Sequence, residues 1–393
     1  MDKPTFNLFR HRDLTLKLGR LRENMARQGV DSVFIASNAN KFYLTGRIFS
    51  GYILVGRESV RWFVRRPVNF ADDPEMTYIR KVEDIPGHID NPGRVAFELN
   101  QMPFNDIVRY AAALKVNDFE NADPILMKSR SVKTPFEIDM IRESSRALTS
   151  VYKDIFKLYG KGQTDVALQI EIERKLRLAG CQGIFRINGQ EMEFHMGSVL
   201  VGDNADNPSP YDFAMGGAGY PALPVGANGT VIKPGNSVMI DMNGNFNGYM
   251  TDMTRTFFCE RLSAEARRAH RLSRNICSRL AEMGVPGTAA SELYHEAVRM
   301  AREAGLEDRF MGHNSKAGFV GHGVGIVINE WPVLAPRSKD VLEKGNVIAV
   351  EPKFVIAGAG AVGVENTYVV TDEGMEQLTL APEKLTELIP FPF

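Results

Sequence analysis

The chain has 393 residues, room for two or three domains at about 150 residues each and ample length to bury a large core. Its 47 basic and 48 acidic side chains leave a formal charge of −1, with 24% charged and 44% hydrophobic residues, which argues against a nucleic-acid or membrane-surface partner. No apolar run of about 18 residues occurs, and Met1-Asp-Lys-Pro-Thr-Phe6 lacks the basic-then-apolar order of a signal peptide, so a soluble, cytoplasmic chain without nucleic-acid or membrane partners is expected. Cys181, Cys259 and Cys277 stand far apart with no CxxC spacing, which excludes a disulfide framework or thiolate zinc site and suggests small buried residues in a reducing compartment.

Apolar residues at Leu14, Leu18, Leu21 and Met25 follow a helical period that ends near Gly29. Asp31–Ala36 reads as a short strand, followed by a polar turn, Ser37–Asn40, and an aromatic stretch, Phe42–Gly46. Strand-like pieces at Tyr52–Val55, Arg61–Val64 and Arg94–Phe97 alternate with turn residues and predict a compact α/β domain over residues 1–130. Lys128–Lys133 reads as a polar, basic link. Thr134, Pro135 and Glu137 then form a capping-box signature that opens a long helix, with apolar positions from Ile141 to Leu158, and a second domain over residues 131–393. Within that domain Gly160–Thr164 and Gly284–Thr288 each join two helical segments ahead of a β-rich stretch, a weak internal repeat of helix pair and hairpin.

The first hairpin runs from Ser237 to Arg255 and contains two Asn-Gly pairs. A turn centred on Phe246 and Asn247 would set Asp241 directly opposite Asp252, two like charges roughly 5 Å apart at Cβ. Such a pair calls for a cation, a shared proton or an open solvent face. In the second hairpin, Val347–Val370, Glu351 and Glu365 are equidistant from Gly358 in apolar arms, which disfavours a solvated face. Between the hairpins lies Gly321-His322-Gly323, whose glycines permit close backbone approach. A histidine between glycines is usually a loop residue, and one Asp pair is usually turn chemistry. Together with two apolar-strand glutamates they point to a metal site, because unpartnered buried carboxylates would cost several kcal/mol each. Oxygen and imidazole donors suit Mn²⁺, Fe²⁺, Co²⁺ or Zn²⁺, and four carboxylates are better balanced by two divalent ions than by one.

These residues resemble the creatinase, prolidase, aminopeptidase P and methionine aminopeptidase superfamily, the pita-bread metallohydrolases of peptidase family M24. Asp241 and Asp252 with Thr254-Arg255-Thr256, Gly321-His322-Gly323, Glu330-Trp331-Pro332, Glu351-Pro352 and Glu365 follow that family's order, and Asn40 with Tyr43–Gly46 is similar to its creatinase-type N-terminal domain. The resemblance implies an α+β pita-bread catalytic domain with an internal pseudo-twofold, preceded by a smaller α/β domain, and a homodimer. It also implies roles: Asp241 chelating one metal, Asp252 and Glu365 bridging both, and His322 with Glu351 completing the second. Water activated there would attack an amide carbonyl while Glu351 carried its proton to the leaving nitrogen.

The departures concern substrate. Where such peptidases commonly carry histidines, Ser209 follows Gly202–Pro208 and Asn329 precedes Glu330; where prolidase-like members carry an arginine before the last glutamate, Gly363 stands. Ser209 and Asn329 can hydrogen-bond a substrate, but neither carries a proton near neutral pH as histidine does. The first expectation is a two-metal hydrolase of amide bonds, an Xaa-Pro aminopeptidase or dipeptidase acting on short peptides. A non-peptidase acting on a small amidino, amide or zwitterionic metabolite, and a metal-stabilised binding protein without catalysis, stay open. His195 and His313 are weaker candidates for a lost imidazole, and Glu191 and Glu193 are as well explained by a solvated edge. Gly216–Tyr220 does not read as a nucleotide fingerprint, and no Gly-x-Ser-x-Gly occurs.

Overall fold

A computed structural model describes residues 3–68, 76–189, 192–211 and 215–390, with side chains from Asp13 onward. The chain divides into two compact units, Met1–Arg130 and Ser131–Phe393. Among the described residues no helix is long and apolar enough to cross a membrane.

The first unit opens with α1 (Lys3–Arg27), which buries Leu18, Leu21 and Met25 and leads into Gly29 at φ 65°. It continues through β1 (Ser32–Ile35), α2 (Asn38–Thr45), β2 (Ser50–Gly56), β3 (Val60–Arg66), β4 (Met76–Tyr78), β5 (Val95–Phe97), α3 (Phe104–Leu114), β6 (Phe119–Asn121) and α4 (Asp123–Ser131). The strands form one mixed sheet in the order β4-β3-β2-β1-β5-β6. Phe34, Tyr52, Phe97 and Tyr110 pack at its centre, the rings of Tyr52, Phe97 and Tyr110 lying 5.1–5.4 Å from that of Phe34.

Two local expectations are corrected here. The stretch read as a polar turn and aromatic run, 37–46, is helix α2. Ser37 caps it, Gly46 at φ 66° ends it, and the buried Glu98 carboxylate accepts the Ala36 and Ser37 N–H groups and the Asn40 amide. The link at 128–133 is largely the last turn of α4. Ser129 Oγ donates to Ile125 O within the helix, and Ser129, Arg130, Ser131 and Lys133 are all buried.

The second unit begins with α5 (Pro135–Tyr152), where the expected capping box is present: Glu137 N donates to Thr134 Oγ1 and Thr134 N to Glu137 Oε2. The helix stops at Tyr152, short of the apolar period read from the sequence. Then come α6 (Asp165–Leu178), β7 (Gly197–Val201), β8 (Ser237–Asn245), β9 (Met250–Phe258), α7 (Ala264–Met283), α8 (Ala290–Glu303), β10 (Gly321–Gly323), β11 (Glu330–Val333), β12 (Val347–Val350), β13 (Lys353–Ile356), β14 (Gly360–Gly363), β15 (Asn366–Thr371), β16 (Gly374–Gln377) and β17 (Thr386–Glu387).

The helix-pair-and-sheet order occurs twice. α5 and α6 precede the sheet β17-β9-β8-β7, and α7 and α8 precede β11-β10-β12-β15-β16 with the short β13-β14 ladder. The repeated loops make the same contacts: Ile232 N donates to Gln163 O and Asp165 N to Thr230 O in one copy, as Leu342 N does to Thr288 O and Ala290 N to Asp340 O in the other. Each half has its own core, one around Leu148, Ile172, Ile240 and Met253, the other around Ile276, Leu293, Ile348 and Val364.

Candidate metal centre

The site forms where the two hairpins of the second unit meet. In the first, Asp241 pairs with Thr254 and Asn243 with Asp252, so the aspartates are diagonal neighbours on one face rather than direct opposites. The ladder runs through the first Asn-Gly pair, which lies inside β8. It turns at the second, where Gly248 supplies φ 97° and donates its N–H to Asn245 Oδ1. A two-residue shift preserves the face because side chains alternate with period two, and it widens the spacing to about 7–8 Å.

The second hairpin is centred on Gly358 as the spacing predicted. Lys353 pairs with Gly363 and Val350 with Asn366 in one continuous register. Glu351 and Glu365 flank the break between the two ladders, both buried. β10 lies between β11 and β12 and brings His322 alongside. Its glycines are there for close approach: a Cβ on Gly321 would stand 2.4 Å from Ala349 O, and one on Gly323 2.2 Å from Trp331 O.

His322 Nδ1 faces Gly323 O at 3.2 Å, which directs Nε2 to Glu351 Oε1 at 3.4 Å and towards Asp252 Oδ2 at 4.0 Å. Asp252, His322 and Glu365 offer one donor atom each within 4.8 Å of one another, and Asp241, Glu351 and Glu365 do the same. All five predicted ligands are thus brought together. The Thr254-Arg255-Thr256 segment positions them. Thr254 Oγ1 donates to Glu365 Oε2 at 2.7 Å, Arg255 donates to the carbonyls of Thr254, Glu365 and Ala381, and Thr256 exchanges hydrogen bonds with the main chain of Gly363.

One residue in the cluster was missed by sequence reasoning. Lys353 is fully buried, and its Nζ donates to Asp241 Oδ2 and Glu351 Oε2 at 2.7 Å and to Glu365 Oε2 at 3.2 Å. The signal was present: a lysine in an otherwise apolar strand, two residues after Glu351 and hence on its face, opposite a glycine.

The electrostatics follow from burial and these neighbours. Burial, with the charge of Asp241, pushes the Asp252 carboxyl up to about 7, and burial with Asp252 and Glu351 raises Glu365 well above the ordinary carboxylate range. For Glu351 burial acts upward too, but the Lys353 and His322 charges overcome it and hold the group at about 2. His322 is raised to about 9, burial being outweighed by its hydrogen bond to Glu351 and the Glu351 and Asp252 charges. Asp252 and Glu365 therefore cannot both ionise cheaply without a further cation, and Glu365 Oε1 is buried without a hydrogen-bond partner. That donor set fits a divalent ion.

The other predicted residues lie outside this cluster. Ser209 Oγ donates to Pro224 O and accepts from Tyr211 N. Asn329 exchanges hydrogen bonds with Asn188, accepting from its N at 2.7 Å and donating to its O at 2.8 Å. Glu330 receives Lys133 Nζ at 3.0 Å on one oxygen and the Ile326 and Val327 N–H groups on the other, holding the turn between β10 and β11. His195 and Glu193 are exposed, His313 pairs with Asp206, and Glu191 lies outside the described residues.

Comparison with known proteins identifies the scaffold. Residues 139–372 match the model of metallopeptidase family M24, and residues 17–132 that of the Creatinase/Prolidase N-terminal domain. The chain belongs to metallopeptidase family M24. It is similar to an Xaa-Pro dipeptidase of Pyrococcus furiosus, 26% identical across 94% of this chain and 99% of that one. Among solved structures, the Xaa-Pro dipeptidase from Bacillus anthracis aligns with TM-score 0.80 at 22% identity, over 95% of this chain and 100% of that one. The X-Pro aminopeptidase from Thermotoga maritima aligns with TM-score 0.77 at 19% identity, over 91% and 98%. The expected architecture holds: a smaller creatinase-type α/β domain followed along the chain by a pita-bread M24 catalytic domain.

Proposed function

We propose that this M24 protein is a metal-dependent hydrolase of the amide bond in Xaa-Pro dipeptides. The observation that carries it is the convergence of Asp252, His322 and Glu365 donor atoms within 4.8 Å of one another, with Glu365 Oε1 buried and without a hydrogen-bond partner. The similarity over nearly full length to Xaa-Pro dipeptidases supports the substrate class. Bound at these donors, a divalent ion (Mn²⁺, Fe²⁺, Co²⁺ or Zn²⁺) supplies Lewis-acid polarisation of the scissile carbonyl and acidification of water.

Glu351 is the catalytic acid–base. Lys353 Nζ, 2.7 Å from its Oε2, orients it, so that it would accept a proton from the attacking water and pass that proton to the leaving nitrogen. Asp241 completes the carboxylate set through Lys353, and Ser209 and Asn329 act on substrate through the loop segments they hold. We extend this to a cytoplasmic homodimer, three buried free cysteines being at home in a reducing compartment.

Chelator-stripped protein reloaded with each of the four ions is expected to release proline from a panel of Xaa-Pro dipeptides, and to spare matched dipeptides lacking proline. A panel left uncut by every loaded form, while a control prolidase cleaves it, refutes the assignment.

A further inference from the structure

Lys353 stands in one of the two donor groups of the metal centre. Its ammonium has three donors, and the three oxygens it meets belong to Asp241, Glu351 and Glu365, the members of one of the two candidate ligand groups. We propose that Lys353 is a built-in cation occupying the place of one of two divalent ions, so that each chain holds a single exchangeable metal, at Asp252, His322 and Glu365. This rests on the reading of the cluster as a hydrolytic metal centre.

A divalent ion on carboxylate oxygens lies about 2.0–2.2 Å from them. An ion bound to the oxygens that Lys353 already contacts at 2.7–3.2 Å would press against the ammonium, cation on cation. The lysine has no route aside either. Its side chain is 0% exposed, and the strand facing it carries Gly363, where an added Cβ would come within 3.0 Å of Lys353 Cα and 3.2 Å of its Cγ. The missing side chain at 363 makes room for the lysine stem, so the two positions act as a matched pair. Swinging the ammonium out would also strand a buried charge away from its three partners.

The remaining group is complete without the lysine. Thr254 and Lys353 both use Glu365 Oε2, and Oε1 stays without a hydrogen-bond partner, available to an ion shared with Asp252 and His322. Charge agrees: of the four negative charges of Asp241, Asp252, Glu351 and Glu365, one ammonium and one divalent ion offset all but one.

The test is metal stoichiometry. Stripped wild type, Lys353→Gly and Lys353→Ala are equilibrated with excess Mn²⁺, desalted and analysed for metal per chain, with thermal melts to establish folding. The expected result is one ion per wild-type chain and two in each variant. Two ions or none in wild type overturns the proposal, as does a folded variant that still takes one. Electron paramagnetic resonance of Mn²⁺-loaded wild type needs no variant: an isolated-ion spectrum supports the proposal, and a spin-coupled pair refutes it. Wild type with one ion that leaves Xaa-Pro dipeptides intact sinks the substrate assignment alone; wild type with two ions that cleaves them sinks this proposal alone.

Discussion

Glu330→Gln should destabilise the second unit far more than a surface substitution, and its partner Lys133→Met should do so less. Lys133 and Glu330 form a buried ion pair at 3.0 Å with side chains 1% and 4% exposed. Removing one member of such a pair costs about 3–5 kcal/mol, because the other charge stays buried and uncompensated. The two ends differ. Without the carboxylate, Lys133 Nζ retains the Ser131 carbonyl at 3.3 Å, whereas without the ammonium Glu330 keeps two backbone N–H donors. Glu330→Gln therefore belongs near about 5 kcal/mol and Lys133→Met near about 3. The double variant leaves neither charge and should cost less than the sum, with a coupling energy of up to about 3 kcal/mol. For a unit of this size about 4 kcal/mol lowers Tm by roughly 8–16 °C. The chain has two tryptophans, Trp62 and Trp331, one in each unit, so in a Trp62→Phe background Trp331 fluorescence reports the second unit. Urea and thermal unfolding of the four proteins give the cycle. A Glu330→Gln cost under about 1 kcal/mol, or strict additivity in the double variant, refutes the reasoning.

Two further expectations concern α7 and β9. His270 is buried with Nε2 lacking a hydrogen-bond partner, and burial followed by the Arg274 charge lowers it from 6.5 to about 4. The unfolded chain then takes up this proton first as pH falls, so the stability from neutral His270 is complete above about 6.5 and is lost towards 4, about 3 kcal/mol in all. His270→Met should flatten that part of the profile in urea midpoints measured at pH 7 and 4.5; identical slopes in both proteins would count against it. Thr254→Val removes the 2.7 Å donor to Glu365 Oε2 at nearly constant shape. Metal affinity by calorimetry should drop about 10–100-fold, and an unchanged affinity would show that the hydroxyl does not orient the ligand.

Much of the site was readable because its chemistry is local in the chain. Asp241 and Asp252 on one hairpin, Glu351 and Glu365 about Gly358, and His322 between glycines each imply a face or a close approach from residues within a single element. The register of the first hairpin was misplaced because two Asn-Gly pairs compete for the turn and only the ladder chooses between them. α2 was read as a turn because the Glu98 carboxylate that holds the Ala36 and Ser37 N–H groups ahead of it, and the Asn40 side-chain amide within it, is 58 residues from Asn40 in sequence.

The sequence by itself determined the face-by-face placement of the carboxylates, the cap that opens α5, the doubled helix-pair order and the family. Period-two alternation, capping chemistry and glycine conformation are properties of adjacent residues. Only the tertiary structure decided that Lys353 stands among Asp241, Glu351 and Glu365, that Glu330 serves Lys133 and a turn, and that Asn329 is engaged with Asn188. Each depends on which strand lies across from which, and a charged side chain buried at such a crossing takes its role from partners more than a hundred residues away, as Lys353 does with Asp241, 112 residues back.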